Sequence, residues 1–590
     1  MTTRKRTTQN KKNRPGKRTW QRNHRSTAVI PSSTTRTKNK LKIIVLGGAE
    51  EVGRNCTLIE YGDDIIMIDC GLQFPEEDQP GIDYIIPNIS YLKGKEKNFK
   101  GMIITHGHYD HIGGIPHLAP ALHNPPVYGT KLTLGIIAKR QEDFKDKGEL
   151  DLREINPDAE ITLGQFKVEF FRVNHNIPDC VGVVVHTPEG TIMHTGDFKF
   201  DMTPVIDKVT EFDKISRFGN EGVLALLSDS TNADNPGHQV SESTIGKTLQ
   251  NIIKDAKGRV IIGTFASLLT RVQQIVWAAE ESGRKITVEG YSMKTNVEIC
   301  QKLGYLTSKP KTFVSSQEAA KLPEDKLIIM CTGAQGEGNA ALMRIAGKEH
   351  KFFRIQTGDT VVFSSSVVPG NERTVQRLKD TLVKEGAKVI HYQMMDVHAG
   401  GHAQAEDLKL LYTLVKPKYI APIMGNPFML RSAADAAESL GWKKENIILT
   451  RNGQVMEFSG GEFNLTKKVV DTDYVMVDGL GVGDVSNIVL RDRQVMSEDG
   501  MFVVIVTISA RDGKLTSSPD IISRGFIYMK GSKNLIEETR NKVKTVCKDN
   551  NPKSAANPMH LKNKLRDEIG KFLFQKTQRR PMILPVVLEV

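Results

Sequence analysis

The 590-residue chain has no uninterrupted apolar stretch of the roughly 18–20 residues that a membrane span needs, and no apolar signal-peptide core at its N-terminus. The expectation is a cytoplasmic protein with no membrane partner. Cysteine is scarce and scattered: Cys56, Cys70, Cys180, Cys300, Cys331 and Cys547 form no CxxC pair. That argues against a disulfide framework and a thiolate zinc site, and fits a reducing compartment. Acidic residues are missing altogether from residues 1–40, which hold 13 Lys and Arg. Removing that tail from the totals of 81 basic and 69 acidic residues leaves 68 against 69, so the net charge of +12 belongs to the tail. Its low hydrophobicity and high charge predict disorder. An arm of this kind touches nucleic acid, or serves only as a solubilising extension or a transit peptide.

What is present divides into several units, since a chain of this length exceeds a single core. Order is expected from LKIIVLGG (41–48) onward, with a hairpin turning at Gly62-Asp63-Asp64 and short β runs up to about residue 235. Near Ser241 the texture changes. RVIIGTF, KITVEGY, KLIIMCTG and TVVFSSS alternate with helical segments, as βαβ units around a parallel sheet do. Further on, Asn452-Gly453 reads as a hairpin turn. A last helix is predicted in NPMHLKNKLRDEIGKFLF, with Asn557 as N-cap and Leu561, Leu565, Ile569 and Leu573 as its buried face.

The chemistry gathers in ITHGHYDHIGG (104–114), where His106, His108, Asp110 and His111 follow an apolar strand. Spacing of i, i+2, i+4 and i+5 fits no helix face, so a loop leaving the strand is expected to carry them. Imidazole and carboxylate without nearby cysteine suit zinc or manganese in a reactive rather than a purely structural site.

HxHxDHxGG after a hydrophobic strand resembles the signature of the metallo-β-lactamase superfamily. His175 in VNHNIPD, Asp197 in HTGDF and Asp69 in MIDCG match its later and bracing positions. The α/β block resembles a β-CASP insertion. LLSDSTNA, HAGGHA and SRGFIY…RRPMILPVVLEV extend the resemblance, over nearly everything after residue 40, to bacterial ribonuclease J enzymes. The resemblance implies an α/β fold: an αββα metallo-β-lactamase sandwich with an inserted β-CASP domain and a small α/β C-terminal domain. The boundaries expected are a tail at 1–40, the sandwich at 41–240 and 391–470, the insertion at 241–390, a linker at 471–484 and the last domain at 485–590. It further implies two divalent cations, Zn²⁺ or Mn²⁺, one held by His106, His108, His175 and Asp197, the other by Asp110, His111 and Asp197. Asp229 and His402 become the proton-transfer pair. His398, Ala399, Gly400, Gly401 and His402 become a phosphate loop, with Ser267 and Leu268 as contacts from the insertion. The implied activity is RNA phosphodiester cleavage, 5′-to-3′ exonucleolytic and endonucleolytic, in RNA maturation including rRNA processing, and in decay. The implied partners are single-stranded RNA, a homodimer or homotetramer, and an RNA-degradation complex.

Four positions depart from that pattern. Met424 stands where the family has a final metal-binding histidine, with Asn426 in place of the following glutamate. Gly400 replaces a serine, and Leu268 an asparagine. A thioether is a poor ligand for Zn²⁺ or Mn²⁺. Two readings follow: an enzyme working with three protein ligands at the second cation, or a catalytically weakened paralogue that binds RNA as a scaffold subunit. A small-molecule hydrolase of the same superfamily would need neither the insertion nor the tail.

Overall fold

The computed structural model describes residues 39–590 apart from residues 77, 338, 369, 530 and 549–557. Residues 1–38 of the basic tail, and Asn557 with its expected capping role, therefore lie outside the described residues.

Two mixed sheets of eight and six strands face each other. Alternation along the strands explains why. In the strand Leu41–Gly47, Leu41, Ile43 and Val45 pack between the sheets, whereas Ile44 and Leu46 join the core beneath the helices. In Val181–Thr187, Val181, Val183 and Val185 face inward and Val184 faces the helices. Strands apolar on both faces require cover on both faces, and the αββα sandwich is the result. Strand Leu41–Gly47 pairs with Gln454–Ser459 and strand Ala225–Asp229 with Tyr419–Ile423, so segments on either side of the insertion complete both sheets.

The insertion is a five-stranded, wholly parallel sheet. Ile262, Met330 and Val362 feed one core, and Ile261, Ile329, Val361 and Phe363 feed the other, as the βαβ alternation predicts. A buried cluster ties it to the sandwich: Arg271 donates to Glu242 at 2.8 Å and Lys199 Nζ lies 3.4 Å from the same carboxylate.

The last unit packs Phe502, Val504, Val506 and Ile508 of strand Met501–Ile508 under the helices Lys533–Lys548 and Pro558–Thr577. Leu561, Leu565, Ile569 and Leu573 are all buried, as their four-residue recurrence predicts. Strand Met582–Glu589 runs parallel to Met501–Ile508.

Two expectations are corrected. The stretch read as a linker, 471–484, contains strands Val475–Asp478 and Gly481–Val482, which pair with each other and with Tyr84–Ile86. Both Met476 and Val477 are buried there: Met476 packs with Ile82, Ile85 and Leu490, and Val477 joins the core beneath the helices. Asn452-Gly453 does not turn a hairpin. It bends the chain into Gln454–Ser459, and the hairpin to Glu462–Val469 turns at Gly460-Gly461, both with positive φ.

Candidate metal centre and its acid–base neighbour

Strand Phe99–Ile103 delivers the chain to the sheet edge, where Thr105 is captured by Asp69. Asp69 sits just beyond strand Asp64–Ile68 at a φ of 61°, a left-handed conformation that aspartate tolerates better than most residues. Its carboxylate accepts Thr105 N–H at 2.8 Å, Thr105 Oγ1 at 2.9 Å and His111 Nδ1 at 2.7 Å. Asp69 therefore braces the histidine segment and fixes the His111 tautomer, leaving Nε2 free to face the site. His106 and His108 lie on the expected loop, but Asp110 and His111 lie in a four-residue helix, Tyr109–Ile112. That one turn brings i+4 and i+5 around to the same pocket, which the loop expectation did not include.

Six side chains converge. His108 Nδ1 lies 3.1 Å from Nε2 of both His106 and His175. Asp197 Oδ2 lies 3.7 Å from His106, 3.6 Å from His175 and 3.2 Å from His111, and Asp110 Oδ2 lies 3.4 Å from His111 Nε2. The candidate ligand atoms of His106, His108, His175 and Asp197 lie within 4.8 Å of one another, as do those of Asp110, His111 and Asp197. Asp197 is common to both groups.

The donor set fits divalent cations. Burial and the neighbouring imidazoles push His106 and His175 well below the ordinary histidine pKa, and burial brings His108 down to about 4. Neutral rings present lone pairs, and three such nitrogens pointed at one carboxylate oxygen repel one another unless a cation lies between them. His175 Nδ1 donates to the Gly401 carbonyl at 2.7 Å, which turns its Nε2 lone pair inward. His111 differs: burial disfavours its charge, but Asp197, Asp110 and Asp69 outweigh burial and raise it.

Beside this cluster, His402 Nδ1 lies 2.9 Å from Asp229 Oδ2 and 3.9 Å from Asp197. Asp229 is fully buried at the end of its strand, and its other oxygen accepts from Thr231 N–H and Oγ1. Burial works against charge on His402, yet Asp229 and Asp197 raise its pKa to about 9. The folded value exceeds the ordinary 6.5, so the pair stabilises the metal-free fold below about pH 6.5, and that contribution is lost as pH rises through about 9. The Tm difference between metal-stripped wild type and His402→Gln is accordingly expected to be large at pH 6 and small at pH 10.

The remaining expected contacts divide. Segment 398–402 wraps over His175, and a Cβ on Gly401 would lie 2.4 Å from the His175 ring, so only glycine passes there. Gln239 Nε2 supports the loop by donating to His402 O at 3.1 Å. The His398 ring lies 6.1 Å from that of Phe265, placing the 265–268 turn beside the loop, and Ser267 is half-buried there. Leu268, 1 % exposed, starts the helix Leu269–Glu281 and is spent on the core, and Ala399 is also buried. Neither side chain offers a substrate surface. Met424, at a φ of 58° after strand Tyr419–Ile423, joins the inter-sheet core. It lines a packing gap, too small for a water, with Asn55, Asp69 and His194. Asn426 begins the next helix.

Sequence reasoning missed Asn55. Its Nδ2 lies 3.0 Å from His111 Nε2 and 3.3 Å from Asp110 Oδ2. The only signal was a polar residue interrupting two apolar strands, in EEVGRNC.

Three family models match the chain: "Metallo-beta-lactamase superfamily" over residues 49–241, "Ribonuclease J, beta-CASP domain" over 257–382 and "Ribonuclease J C-terminal domain" over 488–590. The protein named Ribonuclease J2 of Bacillus subtilis is 42% identical, over 93% of this chain and 99% of its own. Ribonuclease J 1 of Streptococcus pyogenes is 41% identical over 93% and 98%, and Ribonuclease J of Thermus thermophilus 40% over 94% and 96%. A crystal structure of an Enterococcus faecalis protein of unknown function aligns with a TM-score of 0.52 at 16% identity, covering 71% of this chain and all of that one. That likeness concerns the fold alone.

Proposed function

The chain belongs to the ribonuclease J family, and from that premise we propose that it is a metal-dependent ribonuclease. Its substrate in this reading is single-stranded RNA, degraded from a 5′-monophosphate end and also cut internally, in RNA maturation, rRNA processing and decay. The observation that carries the reading is the junction at Asp197. One carboxylate oxygen joins both ligand groups and lies beside the Asp229–His402 pair. Two divalent cations, Zn²⁺ or Mn²⁺, would supply Lewis acidity toward the phosphodiester and toward water. His106, His108 and His175 would hold one and Asp110 and His111 the other, with Asp197 shared.

The rest falls to the chain's own groups. Asp229 holds Nδ1 of His402, so Nε2 presents the proton that a departing oxygen takes. Backbone N–H groups at Gly400 and Gly401, and the Ser267 hydroxyl, would grip non-bridging oxygens. The tail of residues 1–40 adds salt-sensitive affinity for RNA without sequence preference. Assembly into a homodimer or homotetramer is supported by the C-terminal sheet. Ile522, Val503 and Leu584 form one row across its three strands on the face away from the helices, and Leu584 is 47% exposed. Membership of an RNA-degradation complex and a cytoplasmic location complete the proposal. Among the described residues, no helix is long and apolar enough to cross a membrane.

The burial of Met424 favours a second reading, in which a weakened relative binds RNA as a scaffold subunit. Cleavage of a 5′-monophosphorylated RNA with Zn²⁺ or Mn²⁺ separates the two. Wild-type degradation that Asp110→Ala abolishes supports the enzyme. Silence in wild type that Met424→His relieves supports the scaffold.

A further inference from the structure

The second ligand group is one protein ligand short, and an unassigned side chain stands against two of its three members. Asn55 is 4 % exposed, with Nδ2 3.0 Å from His111 Nε2 and 3.3 Å from Asp110 Oδ2. Its backbone is clamped to the same segment: Asn55 N–H donates to Asp110 O at 2.9 Å, and Gly71 N–H donates to Asn55 O at 3.0 Å. The amide is therefore held in fixed register with those ligand atoms. Its Oδ1 is buried and has no hydrogen-bond partner. A buried amide oxygen without a partner is unusual and costly. Met424 lines the same packing gap and presents only a thioether.

His111 decides which end of the amide faces the site. Its Nδ1 donates to Asp69, so a cation that replaces the proton on Nε2 takes the single lone pair there. An amide NH₂ and a cation cannot share that lone pair. With a cation on Nε2 the NH₂ faces positive charge, while a half-turn about Cβ–Cγ presents the unpartnered oxygen. We propose that Asn55, through Oδ1, is a protein ligand of the second cation and stands in for the side chain that Met424 does not provide. The site then comprises Asp110, Asp197 and Asn55 oxygens with one imidazole nitrogen. An oxygen-rich set of this kind suits Mn²⁺. The inference rests on the two-cation reading above.

Metal content separates the possibilities without reference to activity. Wild type, Asn55→Leu, Asn55→Asp and the double variant Asn55→Leu/Met424→His are stripped with chelator, titrated with Mn²⁺ and followed by paramagnetic resonance and elemental analysis. Wild type is expected to bind two ions per chain. Asn55→Leu should keep the first, which also reports an intact fold, and bind the second at least about tenfold more weakly. Asn55→Asp, with an oxygen but no NH₂ at that end, should hold the second ion as tightly as wild type or more so, and the double variant should recover it. Two ions of unchanged affinity in Asn55→Leu would overturn the proposal and leave the two-cation reading standing. Equal losses in Asn55→Leu and Asn55→Asp would also overturn it, since the amide would then act as a hydrogen-bond donor that positions Asp110 and His111. A single ion in wild type would overturn both.

Discussion

Asp197→Ala is expected to lower single-turnover RNA cleavage by at least about 10³-fold and to leave the protein unable to retain either cation through gel filtration. Asp197 is buried, and its Oδ2 lies within 4 Å of nitrogens on His106, His111, His175 and His402. Removing it takes an anionic ligand from both groups at once and leaves four imidazoles facing one another. The protein should still fold, because the core between the sheets is built of apolar side chains. Metal content by elemental analysis beside cleavage rate is the check. Retention of either ion in the variant would mean that the junction is not where the two groups meet.

Gly71→Ala is expected to have an effect of similar size by a different route. A Cβ at Gly71 would lie 1.6 Å from Asp110 O and 2.9 Å from Asn55 N. Both are backbone atoms, so no side chain can rotate out of the way. The substitution has to part strand-end 69–72 from the turn that carries Asp110 and His111, breaking the bonds Asn55 N–H to Asp110 O and Cys70 N–H to His111 O. Loss of the second cation, a fall in cleavage of about 10²-fold or more, and a drop in stability of roughly 2–4 kcal/mol should appear together. Thermal melts with and without Mn²⁺ read the stability, and cleavage assays read the rest. A variant with wild-type Tm and metal content would show that the turn can yield.

Much of this site could be seen in the sequence because its residue types are rare in combination. HxHxDH after an apolar strand narrows the chemistry, and alternation in segments such as LKIIVLG and VGVVVHT gives both faces of the sandwich. The four-residue recurrence in the last helix likewise marked its buried face. What could not be read there depends on contacts distant in sequence. Tyr84–Ile86 finds its partner nearly 400 residues later, so 471–484 looked like a linker. Asn452-Gly453 has hairpin chemistry, but tertiary pairing placed the hairpin at Gly460-Gly461. Leu268 was expected as a contact only by resemblance, while its apolar side chain belongs to the core. Asn55 was invisible because nothing local distinguishes an asparagine beside His111 from one in an ordinary turn.

The pairing of Leu41–Gly47 with Gln454–Ser459 also bears on how the chain is made. Its other edge meets Cys56–Tyr61 almost at once, but more than 400 residues must leave the ribosome before the second edge is covered. At about 5–20 residues per second that wait lasts roughly 20–80 s. Through that interval an apolar strand edge stands open to any neighbouring chain, while the inserted parallel sheet, whose strands lie within 260–391, can already close. The nascent protein therefore passes through a stage with a finished middle and an unfinished frame, and holding that edge is work for a chaperone at the ribosome exit.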